Sequence, residues 1–117
     1  MDRWNRLHPE AEPMKPYIVS SLEGVEGPII AASDFVKLVP DMIRPWVRRQ
    51  FVSLGTDGFG RSDTRESLRR YFEVDAENIV IAALYALSRE GEMPAGEVAS
   101  AIRSLGVDPE KLDPLQA

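Results

Sequence analysis

The chain has 117 residues, of which 44% are hydrophobic and 28% charged, with a net charge of −5 and no cysteine. This length suits one small domain or a part of a larger one. The acidic balance argues against a nucleic-acid binder, which needs a basic surface, and the lack of cysteine excludes disulfides and thiolate chemistry. No run of 18 apolar residues is present, so we expect no membrane span and a cytoplasmic location.

Residues 1–27 predict a helix end followed by a proline-rich strap. Asp2–Leu7 has room for one or two helical turns, which end before Pro9 because the residue preceding a proline is disfavoured in the α region. Further prolines keep the backbone extended as far as Tyr17–Leu22, where one or two more helical turns are expected.

The next part of the chain is typical of a strand, a helix and a second strand. Pro28–Ala32 is short and continuously apolar, as in a strand buried on both faces, and Phe51–Leu54 is the second strand. Between them, Ser33 or Asp34 is expected to cap a helix that Pro40 kinks or divides into two. This βαβ unit predicts parallel strands with a right-handed crossover.

Three helices are predicted after the second strand. The first is Thr64–Phe72; the second begins at an Asp75 cap and ends at Gly91; the third begins at Pro94 and ends at Gly106.

The second of these helices indicates that the chain needs further structure. Its run Ile79–Leu87 is apolar on every side, which is typical of a helix enclosed by other elements. Two parallel strands alone are also marginal in water. We therefore expect the chain to belong to a larger sheet, and residues 108–117 to form an extended tail.

A glycine loop, residues 54–65, is the most distinctive stretch. Its candidate contact residues are Asp57, Gly58, Phe59, Gly60, Arg61, Ser62, Asp63 and Arg65. The glycines can direct amides toward an anion at the start of a helix, which Asp63 and Glu66 are expected to cap. However, the loop carries two aspartates and lacks the G-x-G-x-x-G, G-K-[ST] and calcium-loop patterns. Both a structural turn and a ligand or subunit contact stay open.

Catalytic signals are lacking elsewhere in the sequence. His8 is the only histidine and lies in the strap, no G-x-S-x-G motif is present, and no cluster has metal-ligand spacing. We therefore predict no catalytic, cofactor-binding or metal-ligating residue. Trp4 and Phe59 are candidates for exposed interface anchors, whereas Trp46 is expected to belong to the core.

Several stretches resemble the C-terminal end of the homodimeric, bacterial-type pyruvate dehydrogenase decarboxylating component. The most specific are LGTDGFGRSD (54–63), RESLR (65–69) and YFEVD (71–75). Further stretches are RWNRLHP (3–9), PY (16–17), IAASD (30–34) and LDP (112–114). The resemblance therefore covers nearly the whole chain.

The resemblance implies both a fold and a role. The fold would be α/β, a partial three-layer α/β/α sandwich with a mostly parallel sheet, transketolase C-terminal-like over residues 28–117 and lacking its first strands. The parent enzyme would use thiamine diphosphate and magnesium to decarboxylate pyruvate, and would transfer the acetyl unit to lipoyl groups of a dihydrolipoyl acyltransferase core. This segment would support the homodimer, bind no cofactor and be inactive alone.

Two alternatives stay open at the level of sequence. The chain could be a free-standing α/β binding module whose glycine loop holds an anion or a protein partner. It could also belong to a related two-oxoacid decarboxylating enzyme or a transketolase, because substrate choice would lie in other domains.

Overall fold

The computed structural model describes residues 1–34, 36–56 and 64–114. Its elements in chain order are α1 Asp2–Leu7, α2 Tyr17–Ser21, β1 Ile29–Ala32, α3 Leu38–Asp41, a 3₁₀ helix Arg44–Trp46, β2 Phe51–Leu54, α4 Arg65–Tyr71, α5 Ala76–Arg89 and α6 Ala95–Ser104. The predicted helices and strands are confirmed to within two residues at their ends, apart from the first helix of the crossover. None of the helices in these ranges is long and apolar enough to cross a membrane.

Residues 1–27 form two short helices joined by an extended strap. The strap folds back on α1 through Asn5, whose side-chain amide donates to Met14 O at 3.1 Å and accepts from Met14 N at 2.7 Å. An ion pair between Lys15 and Glu23, 2.7 Å long, links the strap to the end of α2.

The two strands pair in parallel, as predicted, with Ile29 opposite Phe51 and Ala32 opposite Leu54. The expectation that β1 is buried on both faces is wrong for this chain, because its first three residues are half-buried and Ala32 is exposed. α5 packs against both strands. Its partial cover agrees with the mixed burial of the strands, in which Phe51 is buried, Ala32 is exposed and the other residues are half-buried.

The crossover consists of two short helices, α3 and the 3₁₀ helix, as predicted, but Pro40 lies inside α3 and not between them. The predicted cap is wrong: the residue before α3 is Lys37, and neither Ser33 nor Asp34 occupies this position. Proline is tolerated in the first turn of a helix, where its missing N–H is not needed, so the helix begins just before Pro40.

The sequence predicted the N-terminal cap of α5 correctly, but not that of α4. Asp75 caps α5, accepting from the backbone N–H of Asn78 at 3.1 Å, as expected. The cap of α4 is Thr64, whose hydroxyl accepts from Ser67 N at 3.2 Å. Asp63, the predicted cap, is not in this position and lies outside the described residues.

The hydrophobic core of the described residues is small. It consists of Phe51, Phe72, Val74, Ala86 and Val98. On α5, Ala86 is 0% exposed, whereas Val80 and Tyr85 are 45% and 51% exposed. The described part of the chain therefore covers only part of the helix that the sequence makes apolar all round.

The C-terminal segment turns back onto α4, so the prediction of an extended tail over residues 108–117 is wrong as far as residue 114. Asp108 forms a turn in which its carboxylate accepts from Glu110 N at 2.9 Å. Lys111 then donates to Tyr71 O at 2.7 Å and to the Glu73 carboxylate at 3.3 Å. The Asp-Pro pair at the start of the tail favours this turn.

Candidate functional site

The predicted contact loop lies largely outside the described residues. This applies to Asp57, Gly58, Phe59, Gly60, Arg61, Ser62 and Asp63. Arg65 is the first residue of α4 and is exposed. The assignment of these residues to a ligand or subunit contact stays a prediction.

A cleft of about 690 Å³ opens at the carboxyl end of β1, between α4 and the start of α5. Its lining includes Asp34, Glu66, Arg69, Arg70, Asp75 and Glu77. In open α/β sheets, ligands commonly bind beyond the carboxyl ends of strands. The position of the cleft therefore makes its charges relevant to any binding role.

Arg69 closes one side of this cleft by a two-pronged contact with Asp34. Its Nη2 lies 3.0 Å from Asp34 Oδ2 and its Nε 3.3 Å from Oδ1. The hydrogen bond from Arg69 lowers the pKa of Asp34, and the same bond raises the pKa of Arg69. Asp34 thus links the end of β1 to α4. The sequence alone did not predict this contact, because Asp34 was expected to cap the helix that follows β1.

Arg70 closes the other side of the cleft. Its Nη1 lies 3.3 Å from Asp75 Oδ2, and its Nη2 donates to Gly106 O at 2.6 Å. Burial raises the pKa of Asp75, but hydrogen bonds from Asn78 and Arg70 outweigh this effect, so the pKa is lowered overall. Arg70 therefore ties the cap of α5 to the end of α6.

The charge balance of the cleft does not favour an anion site. Two arginines are each paired with carboxylates, and four acidic side chains line the same space. An incoming phosphate would have to displace a carboxylate from an arginine and would face the remaining acidic groups. The charged side chains of the cleft instead form ion pairs that join neighbouring helices and strands.

The described residues do not fit a magnesium–diphosphate site. They include no group of three or more His, Cys, Asp or Glu side chains placed to hold a metal ion. His8 is engaged at the end of α1, where its Nδ1 lies 2.8 Å from Trp4 O and its ring stacks on Trp4 with centroids 4.3 Å apart.

Large apolar side chains on the surface are the more prominent feature. Those exposed are Met1, Trp4, Leu7, Met14, Tyr17, Val25, Leu38, Val39, Met42, Trp46, Val80, Tyr85 and Leu112. Trp4 is 37% exposed, in line with its role as a candidate anchor. Trp46 is 38% exposed, so its assignment to the core is wrong: it lies on the short 3₁₀ helix, beside a groove of about 620 Å³.

Residues 1–75 match the family model of the transketolase-like TK C-terminal domain. The match covers well over half of the chain and includes β1, β2 and α4. The chain belongs to this family. Its parallel two-stranded sheet and flanking helices agree with a partial α/β fold of this type.

The chain is also similar to proteins named pyruvate dehydrogenase E1 component. It is 49% identical over 116 residues to that of Pseudomonas aeruginosa and 47% identical over 115 residues to that of Cupriavidus necator, covering 98% of this chain in both. The Escherichia coli K12 protein is 44% identical over 114 residues, or 97% of this chain. The chain spans about 13% of the length of each of these relatives.

Proposed function

We propose that the chain is a structural, interface-forming segment of a pyruvate dehydrogenase E1 component and has no turnover of its own. The observation that carries the proposal is 44–49% identity to such components along 97–98% of the chain. Within it, residues 1–27 act as a helix end and strap, and residues 28–117 as the transketolase C-terminal-like α/β part.

The proposed parent enzyme decarboxylates pyruvate and delivers an acetyl unit to lipoyl groups of a dihydrolipoyl acyltransferase core. Thiamine diphosphate, held through magnesium, supplies the electron sink for the decarboxylation when it is bound. The partners of this chain are then the remaining domains of the parent and the second subunit of a homodimer, and the location is cytoplasmic. The described residues contribute packing and ion pairs to this assembly.

The exposed apolar residues of α5 support this role. Val80 and Tyr85 are exposed residues of a helix that also packs on the sheet, so a neighbouring domain can bury them. Complete burial of a side chain the size of Val contributes about 1.5–3 kcal/mol, before the entropy of association is subtracted. Both residues are therefore candidates for contact with the rest of the parent.

The proposal is tested by asking whether the chain binds the missing portion of a relative. The partner is the P. aeruginosa E1 component from which the residues aligned with this chain are deleted. We expect native mass spectrometry to detect one chain per truncated subunit. We also expect the chain alone to show neither pyruvate decarboxylation nor thiamine diphosphate binding, and turnover by the isolated chain would contradict the proposal.

A charge placed on α5 tests the proposed contact surface. Val80→Glu is expected to weaken binding of the truncated relative by about tenfold or more, because the new carboxylate would be buried without a partner. Ala95→Glu adds the same charge at an exposed residue of α6 and serves as the control. Equal affinities for Val80→Glu and the unchanged chain would exclude Val80 from the interface.

A further inference from the structure

We propose that residues 108–114 form a latch on the end of α4. The closed latch holds Glu73 in a strained left-handed backbone conformation. Its release loosens the last turn of α4, which carries Arg69 and Arg70 of the cleft. This inference goes beyond the proposed function and does not depend on it, because the contacts that carry it all lie within the described part of this chain.

The helices α4, α5 and α6 end in the same way. In each, the residue after the C-terminal cap has a positive φ, and the N–H of the next residue donates to a carbonyl in the last turn of the helix. These bonds, each part of a Schellman motif, run from Val74 N to Arg69 O at 2.9 Å, from Glu92 N to Leu87 O at 2.9 Å and from Val107 N to Ile102 O at 3.2 Å. The residue with positive φ is Gly91 after α5 and Gly106 after α6, but it is Glu73 after α4.

Glu73 is strained in this position. Its φ is +61°, and in the described part of the chain it is the only residue other than glycine with a positive φ. A Cβ disfavours the left-handed conformation by a factor of about 5–30 in the local equilibrium. Such a conformation persists only where the surrounding structure imposes it. The contacts around Glu73 therefore have to compensate for the strain.

The latch supplies these contacts through Lys111. Its ammonium group donates to Tyr71 O at 2.7 Å and to the Glu73 carboxylate at 3.3 Å, and lies 5.3 Å from the centre of the Tyr71 ring. A cation is favourable at the C-terminal end of a helix, where the last carbonyls have no partner within the helix. Glycine at position 73 would remove the strain but also the carboxylate. The side chain that causes the strain is thus the one that Lys111 binds.

A turn within the latch places Lys111 at the end of α4. Asp108 O accepts from Lys111 N at 3.3 Å, and the Asp108 carboxylate accepts from Glu110 N at 2.9 Å. Further along the latch, Asp113 and Pro114 line a small cavity at the carboxyl end of β2. The closed latch therefore lies beside the ends of both α4 and β2.

The end of α4 that the latch holds is connected to the cleft. The N–H groups of Glu73 and Val74 donate to Arg70 O at 3.3 Å and to Arg69 O at 2.9 Å. The side chains of these two arginines form the ion pairs that close the cleft. When the latch opens, Glu73 is free to relax to a negative φ, which breaks both backbone hydrogen bonds. Release of the latch therefore weakens the hold of both arginines on the cleft.

Amide hydrogen exchange of the full chain tests the latch. Lys111→Met removes the ammonium group and is expected to speed exchange of the Val74 amide about tenfold or more, with little change within α5. Lys15→Met is the matched control, because it removes the same charge and breaks another exposed ion pair, that with Glu23. It should leave the Val74 amide unchanged. A Val74 amide that exchanges equally fast in Lys111→Met and in the unchanged chain would overturn the proposal.

Glu73→Gly tests the strain. Glycine adopts a positive φ without strain, so the Val74 amide should stay protected in this variant although the carboxylate is lost. Adding Lys111→Met to Glu73→Gly should then speed exchange of the Val74 amide by a smaller factor than in the unchanged chain. The same factor in both backgrounds would show that the latch does not compensate for strain at Glu73, and would overturn the proposal.

A second measurement applies if circular dichroism shows that Lys111→Met does not fold. Exchange of the unchanged chain is then followed at increasing, low concentrations of denaturant. We expect the amides of Val74, Glu110 and Lys111 to exchange through one shared opening, at lower denaturant than the amides within α5. Exchange of the Val74 amide together with α5, and separately from Glu110 and Lys111, would overturn the proposal.

Discussion

At the scale of single residues, Asp41 joins three elements. Its carboxylate accepts hydrogen bonds from Ser53 on β2 and from Arg44 on the 3₁₀ helix, while Asp41 itself ends α3. The hydrogen bond from Ser53, followed by that from Arg44, lowers the pKa of Asp41. The ionised carboxylate is thus the form that the folded chain prefers.

The lowered pKa values of Asp34, Asp41 and Asp75 lead to a pH dependence of stability. A folded pKa below the unfolded value, about 3.9 for Asp, gives stability that is present above that value and is lost as the pH falls through the folded pKa. We expect the free energy of unfolding, measured by urea titration, to decrease from about pH 4 downward.

Asp41→Asn should make that decrease shallower, because the variant has one fewer carboxylate to protonate. Asp2→Asn, at an exposed residue of α1, is the matched control for the loss of one negative charge. A slope below pH 4 that is the same for Asp41→Asn and the unchanged chain would show that this carboxylate does not stabilise the fold.

At the scale of elements, the ends of α5 and α6 depend on glycines with positive φ, as the sequence predicted. Gly91 has φ +79° and Gly106 φ +70°, each just beyond a helix. An added Cβ at Gly91 would meet no atom within 4 Å, so the effect of a substitution there comes from the backbone alone.

Gly91→Ala and Gly96→Ala form a pair with opposite expected effects. Alanine at Gly91 should lower the free energy of unfolding by about 1 kcal/mol, because a Cβ disfavours the left-handed conformation. Gly96 lies inside α6 with equally open surroundings. Alanine at this position should therefore raise the free energy of unfolding by up to about 1 kcal/mol. Chemical denaturation of both variants measures the difference, and two changes of the same sign would contradict this explanation.

Elements were predictable from the sequence where the signal was local. Asp75 and Gly91 bracket α5, and the apolar runs of β1 and β2 mark the strands, because caps and short-range patterns act within a few residues. Asp34 was misassigned because its partner, Arg69, lies 35 residues further along the chain. The cleft depends on such distant contacts, which no local pattern contains.

At the scale of the whole molecule, the described residues bury few of their hydrophobic side chains. Five hydrophobic residues are buried among those described, while thirteen large ones are exposed, including Val80 and Tyr85 of the helix that is apolar on all sides. The sequence predicted this imbalance from the strand count and from α5. An exposed apolar surface of this kind is typical of a contact with another domain or subunit.

Reconstitution of activity tests the central claim most directly. The chain is titrated into the truncated P. aeruginosa E1 component with pyruvate, thiamine diphosphate and magnesium, and the release of carbon dioxide is measured. We expect negligible activity from either part alone, and activity that saturates at one chain per truncated subunit. Activity that is unchanged by the chain, or turnover by the chain without the truncated component, would contradict the claim that it is a scaffold segment of this enzyme.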